Sequence, residues 1–246
     1  MKKDLRSYKE HDKDFHSEHN SFERTKEIIR EYDTADYFRM LGFKLAIDIT
    51  KNLPTTHVDI GSGNGWLLRK TSSYFDKVIG VEPSSQGIEV AKKTVEECRN
   101  VEFINADMVD ACEKLDLSRP LFVTTATVLN HIENDYVAHF LSKVNKFPEG
   151  SVLFFDERYD TNINWKMWHV RSKDWWRTQL PTWQLFFFDI NVSGYRSGIY
   201  GIKTSSTEHL TTKNMSSLEK IFWYSDMLKN ITIRVVRKLL KLCGMR

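Results

Sequence analysis

The stretch Val58-Asp59-Ile60-Gly61-Ser62-Gly63-Asn64-Gly65-Trp66 decides how the rest of the chain is read. It opens as a short buried strand, His57-Val58-Asp59-Ile60, and runs straight into three glycines at alternate positions. A turn without Cβ atoms lets a ligand approach the backbone closely. It also leaves N–H groups and the next helix N-terminus facing that ligand. The spacing departs from two common loops. A dinucleotide fingerprint needs G-x-G-x-x-G, and here the third glycine comes one residue early with Trp66 in its usual place. No GK[ST] follows, so a P-loop is absent.

Downstream of the loop, apolar runs and amphipathic stretches alternate. Lys77-Val78-Ile79-Gly80-Val81-Glu82 reads as a second strand, and Ser84 as the cap of a helix with Ile88, Ala91, Val95 and Cys98 on one stripe. Val101-Glu102-Phe103-Ile104 is the third strand and Leu121-Phe122-Val123-Thr124-Thr125 the fourth. A helix carrying Tyr136, Phe140 and Val144 follows, then a fifth strand, Ser151-Val152-Leu153-Phe154-Phe155. This rhythm implies right-handed crossovers and a mainly parallel sheet. Trp165 to Leu180 reads as a helical insertion stopped by Pro181. Trp183 to Phe188 and Gly198 to Ile202 then form two strands joined by a short turn-rich link, which favours an antiparallel pair. The fold class is α/β: a Rossmann-like doubly wound sheet of seven strands, mostly parallel with an antiparallel last strand, a helical N-terminal extension and a C-terminal helix.

Upstream, residues 1–22 are polar without periodicity and read as a mobile arm, while Ile28 to Ile49 recur at helical steps before Pro54 breaks the pattern. The domain thus spans 23–217, with helical segments over 23–53 and the insertion over about 160–181. Residues 218–246 form a basic amphipathic helix: Trp223, Met227, Ile231, Val235, Leu239 and Leu242 make the apolar stripe, among seven Lys/Arg and two Asp/Glu. The net charge of the whole chain is +3, so everything before this tail sums to −2. The basic character belongs to the tail, which fits an anionic membrane surface or a docking face on this or a second subunit. Three cysteines without a CxxC pair argue against a disulfide framework and a zinc site; no metal is expected. No apolar run reaches membrane-span length and no signal peptide is evident, so a cytoplasmic protein, peripheral at the inner membrane surface if the tail binds lipid, is expected.

Gly61-x-Gly63-x-Gly65 preceded by Asp59 resembles motif I of the class I S-adenosylmethionine-dependent methyltransferases, and the likeness continues in order over roughly residues 55 to 205. Glu82 stands where that family has the acid for the two ribose hydroxyls, a role that needs a bidentate acceptor. Asp107, in Asn105-Ala106-Asp107-Met108, matches the acid that accepts from the adenine amino group. Thr124 to Ile132 resembles motif IV, where the loop after strand four reaches cofactor and substrate. The resemblance implies S-adenosyl-L-methionine as cofactor, with S-adenosyl-L-homocysteine as product. It implies a cofactor site of Asp59, Gly61, Ser62, Gly63, Gly65, Trp66, Glu82, Pro83, Asp107, Met108, Thr125 and Ala126. It also makes the segment over 23–53 a lid, with Tyr37 on it. Pro120 precedes strand four where relatives often carry Asp, and the Asn/Asp-Pro-Pro-aromatic signature of base methylation is missing.

An imidazole suits proton removal near neutrality, which makes His131 the first candidate base and Glu157 the second. Tyr37, Tyr159 and Trp165 are candidate acceptor contacts; the tryptophans of the insertion suit flat or sugar-like acceptors and equally a packed lid. A small molecule or a sugar/glycan is the expected acceptor, through oxygen or nitrogen. DNA is not expected, and RNA is disfavoured by the acidic body. The rival readings are an RNA methyltransferase, an inactive methyltransferase-like binding subunit and, disfavoured by the glycine spacing, a nicotinamide dehydrogenase.

Overall fold

The computed structural model describes residues 40, 42–44, 46, 47, 50, 52–157, 159, 169–189 and 197–203. The expected polar arm, most of the expected lid with Tyr37, the first part of the insertion with Trp165, and the expected C-terminal basic helix lie outside the described residues.

Seven strands, β1 (Thr56–Ile60), β2 (Lys77–Val81), β3 (Val101–Ile104), β4 (Leu121–Ala126), β5 (Val152–Asp156), β6 (Trp183–Asp189) and β7 (Ser197–Lys203), form one sheet in the order β3-β2-β1-β4-β5-β7-β6. The first five are mutually parallel, and β7 runs antiparallel to both β5 and β6. The expected mostly parallel sheet with one reversed final strand is what forms. Five helices are described from end to end: α1 (Trp66–Thr71), α2 (Ser85–Thr94), α3 (Met108–Cys112), α4 (Asn134–Val144) and α5 (Lys173–Gln179).

Side chains alternate across each strand, so every buried strand feeds two cores. Val58, Ile60, Val81, Val123, Leu153 and Phe155 pack on one face with α3, α4 and Trp176 of α5. Phe122, Phe154 and Tyr200 face the other side, against Leu67 and Leu68 of α1 and the helical residues Phe43 and Ala46. Ser84 caps α2 as expected, its hydroxyl oxygen accepting from Gly87 N at 3.1 Å.

Register positions the site. Ile60 is level with Val81 of β2 and with Thr125 of β4. The glycine loop, Glu82 and the end of β4 therefore leave the sheet side by side at its carboxyl edge. This is also where successive connections diverge, β2 to one side of β1 and β4 to the other, the usual place for ligands in such sheets.

One expectation is corrected. The tryptophan-rich segment is not a continuous helix up to Pro181, because residues 169–172 are non-helical and Arg171 bridges Tyr159. The helix begins only at Lys173, where the Ser172 hydroxyl oxygen accepts from Trp175 N at 3.1 Å. Among the described residues no helix is long and apolar enough to cross a membrane.

Candidate functional site

The three loop glycines all have left-handed φ, +73° at Gly61, +51° at Gly63 and +75° at Gly65. Two of them have different surroundings. A Cβ on Gly61 would lie 2.5 Å from Cγ2 of Val128, so the loop after β4 rests directly on the glycine turn. A Cβ on Gly63 would meet nothing within 4 Å. Gly61→Ala is therefore expected to cost about 2–4 kcal/mol, from the left-handed backbone and the overlap together. Gly63→Ala should cost only about 1 kcal/mol. Urea midpoints of the two variants check this, and trimming Val128 to Ala alongside Gly61→Ala should return the overlap part.

Glu82 follows β2 with 0 % of its surface exposed. Its Oε2 accepts from Gly63 N at 2.9 Å and its Oε1 from Ser84 N at 3.0 Å. The Asn105 amide, which sequence reasoning did not single out, ties the end of β3 to this point by donating to the carbonyls of Glu82 (3.0 Å) and Pro83 (2.9 Å). Pro83 itself is exposed. Asp107 caps α3, its Oδ1 accepting from Val109 N (2.9 Å) and Asp110 N (3.0 Å), and Met108 beside it is buried.

Some sequence-predicted positions serve the fold rather than the loop's open side. Ser62 donates its N–H to Val81 O, accepts from Gly65 N, and turns its hydroxyl toward Gly80 of β2. Trp66 packs at the edge of the second core. Tyr159 is 3 % exposed, with its ring 5.2 Å from that of Phe187, so it is core rather than a cleft wall.

Asp59 anchors a buried polar chain that sequence reasoning missed. The Thr124 hydroxyl donates to Asp59 Oδ1 at 2.6 Å, His57 Nε2 lies 2.8 Å from the same hydroxyl, and His57 Nδ1 lies 3.0 Å from Thr71 Oγ1. Burial pushes the His57 imidazole down to about 3, so the ring is neutral. Alternation puts His57 and Asp59 of β1 on one face, level with Phe122 and Thr124 of β4.

The segment after β4 turns sharply. Thr127 has φ +59°, rare for a residue with a branched side chain, and its N–H donates to Asp156 O at 2.9 Å. A 3-10 turn over Leu129–His131 follows. Glu157, 1 % exposed, holds the N–H end of this turn. Its Oε1 accepts from Thr125 Oγ1 (2.9 Å), Val128 N (2.9 Å) and Leu129 N (3.0 Å), and its Oε2 from Asn130 N (3.1 Å). Burial outweighs these donors and raises the Glu157 carboxyl to about 7. Arg171, 3 % exposed, holds the carbonyl end. It donates to Leu129 O at 2.8 Å, to His169 O at 3.1 Å and to Ile132 O, and its guanidinium lies 5.0 Å from the Trp175 ring centre.

Glu157 and Thr125 were expected to face an acceptor and a cofactor. The structure pairs them with each other, because Thr125 follows Val123 and Glu157 follows Phe155 on the same sheet face. Ala126 sits beyond them at the carboxyl edge of β4. His131 is half-buried on the turn, three residues after the Val128 that rests on Gly61. Its N–H donates to Val128 O at 3.1 Å.

Residues 58–147 match the family model of a methyltransferase domain. Over 142 residues the chain is 28 % identical to ribosomal RNA small subunit methyltransferase A of Clostridioides difficile (strain 630), covering 48 % of this chain and 48 % of the relative. The chain thus spans about half the length of that curated relative. Among solved structures, a DhpI complex with S-adenosylhomocysteine superposes with TM-score 0.61 at 18 % identity, covering 80 % of this chain and 98 % of the other. Magnesium protoporphyrin IX methyltransferase from Synechocystis PCC 6803, solved with bound S-adenosylmethionine, gives TM-score 0.59 at 16 % identity, covering 79 % and 97 %.

Proposed function

We propose, from the premise that this chain carries a class I S-adenosylmethionine-dependent methyltransferase domain, that it transfers a methyl group to a small-molecule or sugar acceptor. One observation carries the cofactor assignment: a fully buried carboxylate, Glu82, ties itself to the N–H of the one loop glycine whose Cα opens onto free space. An ionised carboxylate is acceptor-only and offers two oxygens, the chemistry that a pair of ribose hydroxyls requires. The cradle therefore suits S-adenosylmethionine: Asp59, the Gly61–Gly65 loop, Glu82, Asp107 and Met108 would hold it, and Ala126 would bound its methyl group. When bound, the cofactor supplies an electrophilic methyl group already activated by its sulfonium. The protein's own share is positioning. His131, on the turn over Leu129–His131 that follows Val128, is the base in this reading, and its imidazole takes a proton from a hydroxyl acceptor. A neutral amine acceptor releases its proton without that help. Glu157 has a different task, since four donors hold its carboxylate to the turn.

The small-molecule assignment draws support from the solved relatives and from the net charge of −2 before residue 218. The ribosomal RNA relative favours a second reading, RNA methylation, against which that acidic body weighs. The tail's basic stripe suits an anionic bilayer or a protein surface and is not needed for either. The test is calorimetric titration with S-adenosylhomocysteine and with NAD. Deuterated-methyl S-adenosylmethionine is then incubated with a total small-molecule cell extract and, separately, with ribosomal RNA. Binding of the first ligand alone and a labelled small molecule are expected; labelled RNA would move the acceptor to the second reading. His131→Gln should slow labelling about 10²–10⁴-fold with homocysteine-ligand affinity intact, and an unchanged rate removes it as base.

A further inference from the structure

Asn130 is 0 % exposed, and among the described residues it alone has both polar atoms of its side chain buried without a hydrogen-bond partner. Its backbone is fully engaged, N–H to Glu157 Oε2 at 3.1 Å and carbonyl from His169 N at 2.7 Å. The carboxamide therefore cannot swing out to water by a local backbone rotation. Buried polar groups are nearly always satisfied, and an exception in a native fold calls for a reason. The neighbourhood collects other costs: Thr127 in the left-handed region, and two buried ionisable side chains, Glu157 and Arg171, gripping opposite ends of one turn. Unfavourable local features gather at functional sites, where the surrounding structure holds them in place. This turn leaves the carboxyl edge of β4 and rests on Gly61 through Val128.

We propose that Asn130 is an acceptor-binding residue, whose carboxamide is completed by a neutral group that carries both a donated hydrogen and a lone pair, a hydroxyl or an uncharged amine. The proposal rests on the methyltransferase reading above. The completing group stands beside the reacting atom on the same molecule: Oδ1 accepts its hydrogen and Nδ2 donates to a second polar atom, so a reacting hydroxyl keeps its single hydrogen for His131. Glu157 and Arg171 are positioning residues that fix the turn from its two ends.

The test replaces Asn130 by Leu, close in size and apolar, with Asn130→Ala as the second variant should Leu fail to pack. Three readouts are compared with the unaltered chain: melting temperature without ligand, S-adenosylhomocysteine affinity, and methyl labelling of the extract. Melting is expected to rise by about 2–6 °C, since an unsatisfied buried amide is removed. Affinity for the homocysteine ligand should stay within about twofold and labelling should fall at least ~100-fold, the size of a lost buried polar pairing. A fall in melting temperature means that a buried water or the chain already pairs the carboxamide, and it overturns the proposal. Unchanged labelling overturns it as well. Homocysteine-ligand binding without any labelling by the unaltered chain sinks the acceptor reading itself and this inference with it, a result told apart by the unaltered chain alone.

Discussion

Replacing Glu82 by Ala is expected to weaken S-adenosylhomocysteine binding by a factor of about 10²–10⁴. A hydrogen bond to a charged acceptor contributes about 1.5–3 kcal/mol, and two ribose hydroxyls would lose theirs together. The loss has a second source in the protein. Gly63 N and Ser84 N would be left facing a cavity where the carboxylate now accepts from both, and the glycine loop would lose the bond that fixes its open glycine. Calorimetric titration of the variant, with its fold confirmed by circular dichroism, measures the effect. Glu82→Gln separates the two sources. It keeps the volume and one carbonyl oxygen, yet its amide nitrogen must face an N–H donor, so affinity should fall less than with Ala. An Ala variant that binds as tightly as the unaltered chain would remove Glu82 from the cofactor site and with it the observation that carries the function.

Much of this was legible along the chain. Central parallel strands are covered on both faces, so they stand out as apolar runs, and the third was placed residue for residue at Val101–Ile104. Ser84 was readable as a cap because that signal is local. The position of Glu82 at the end of β2 followed from strand boundaries alone. What stayed hidden is contact between distant residues. Arg171 reaches Leu129 across 42 positions, Thr125 reaches Glu157 across 32, and Thr124 reaches Asp59 across 65. Nothing in the periodicity of one segment encodes the partner in another, so Glu157 read as a strand-end acid open to the cleft. The insertion misled for a different reason: its aromatic spacing imitates a helix, while the Ser172 cap and the Arg171 bridge begin the helix eight residues later than the pattern suggested. Asn130 carried no signal of its own, because an amide beside a histidine in an apolar turn looks like ordinary surface.

Arg171→Met should be among the most destabilising single changes in the described part of the chain, at about 3–5 kcal/mol, the usual penalty for removing one partner from a buried charged network. Three carbonyl groups would lose a cationic donor, and the 3-10 turn would keep its Glu157 cap while losing the opposite one. For a chain of this size that corresponds to a melting temperature lower by roughly 10 °C. Arg171→Lys retains charge but not the planar fork, so it should recover only part of the loss; full recovery would reduce Arg171 to a point charge. Glu157 adds a pH signature to the same device. Its carboxyl is raised to about 7 in the folded chain from an ordinary 4.5, chiefly by burial. A raised folded value means the protonated form is the one the fold favours. The associated stability is complete below the unfolded value and is lost as pH climbs through about 7, an effect of about 3 kcal/mol over that window. Melting curves from pH 4.5 to 8 should show this slope in the unaltered chain and a flatter one in Glu157→Gln. Equal slopes would mean that the four donors, rather than burial, set the charge of this group. The turn carrying Asn130 and His131 would then be held by a carboxylate that stays ionised at every pH in that range, and its position would not respond to acid.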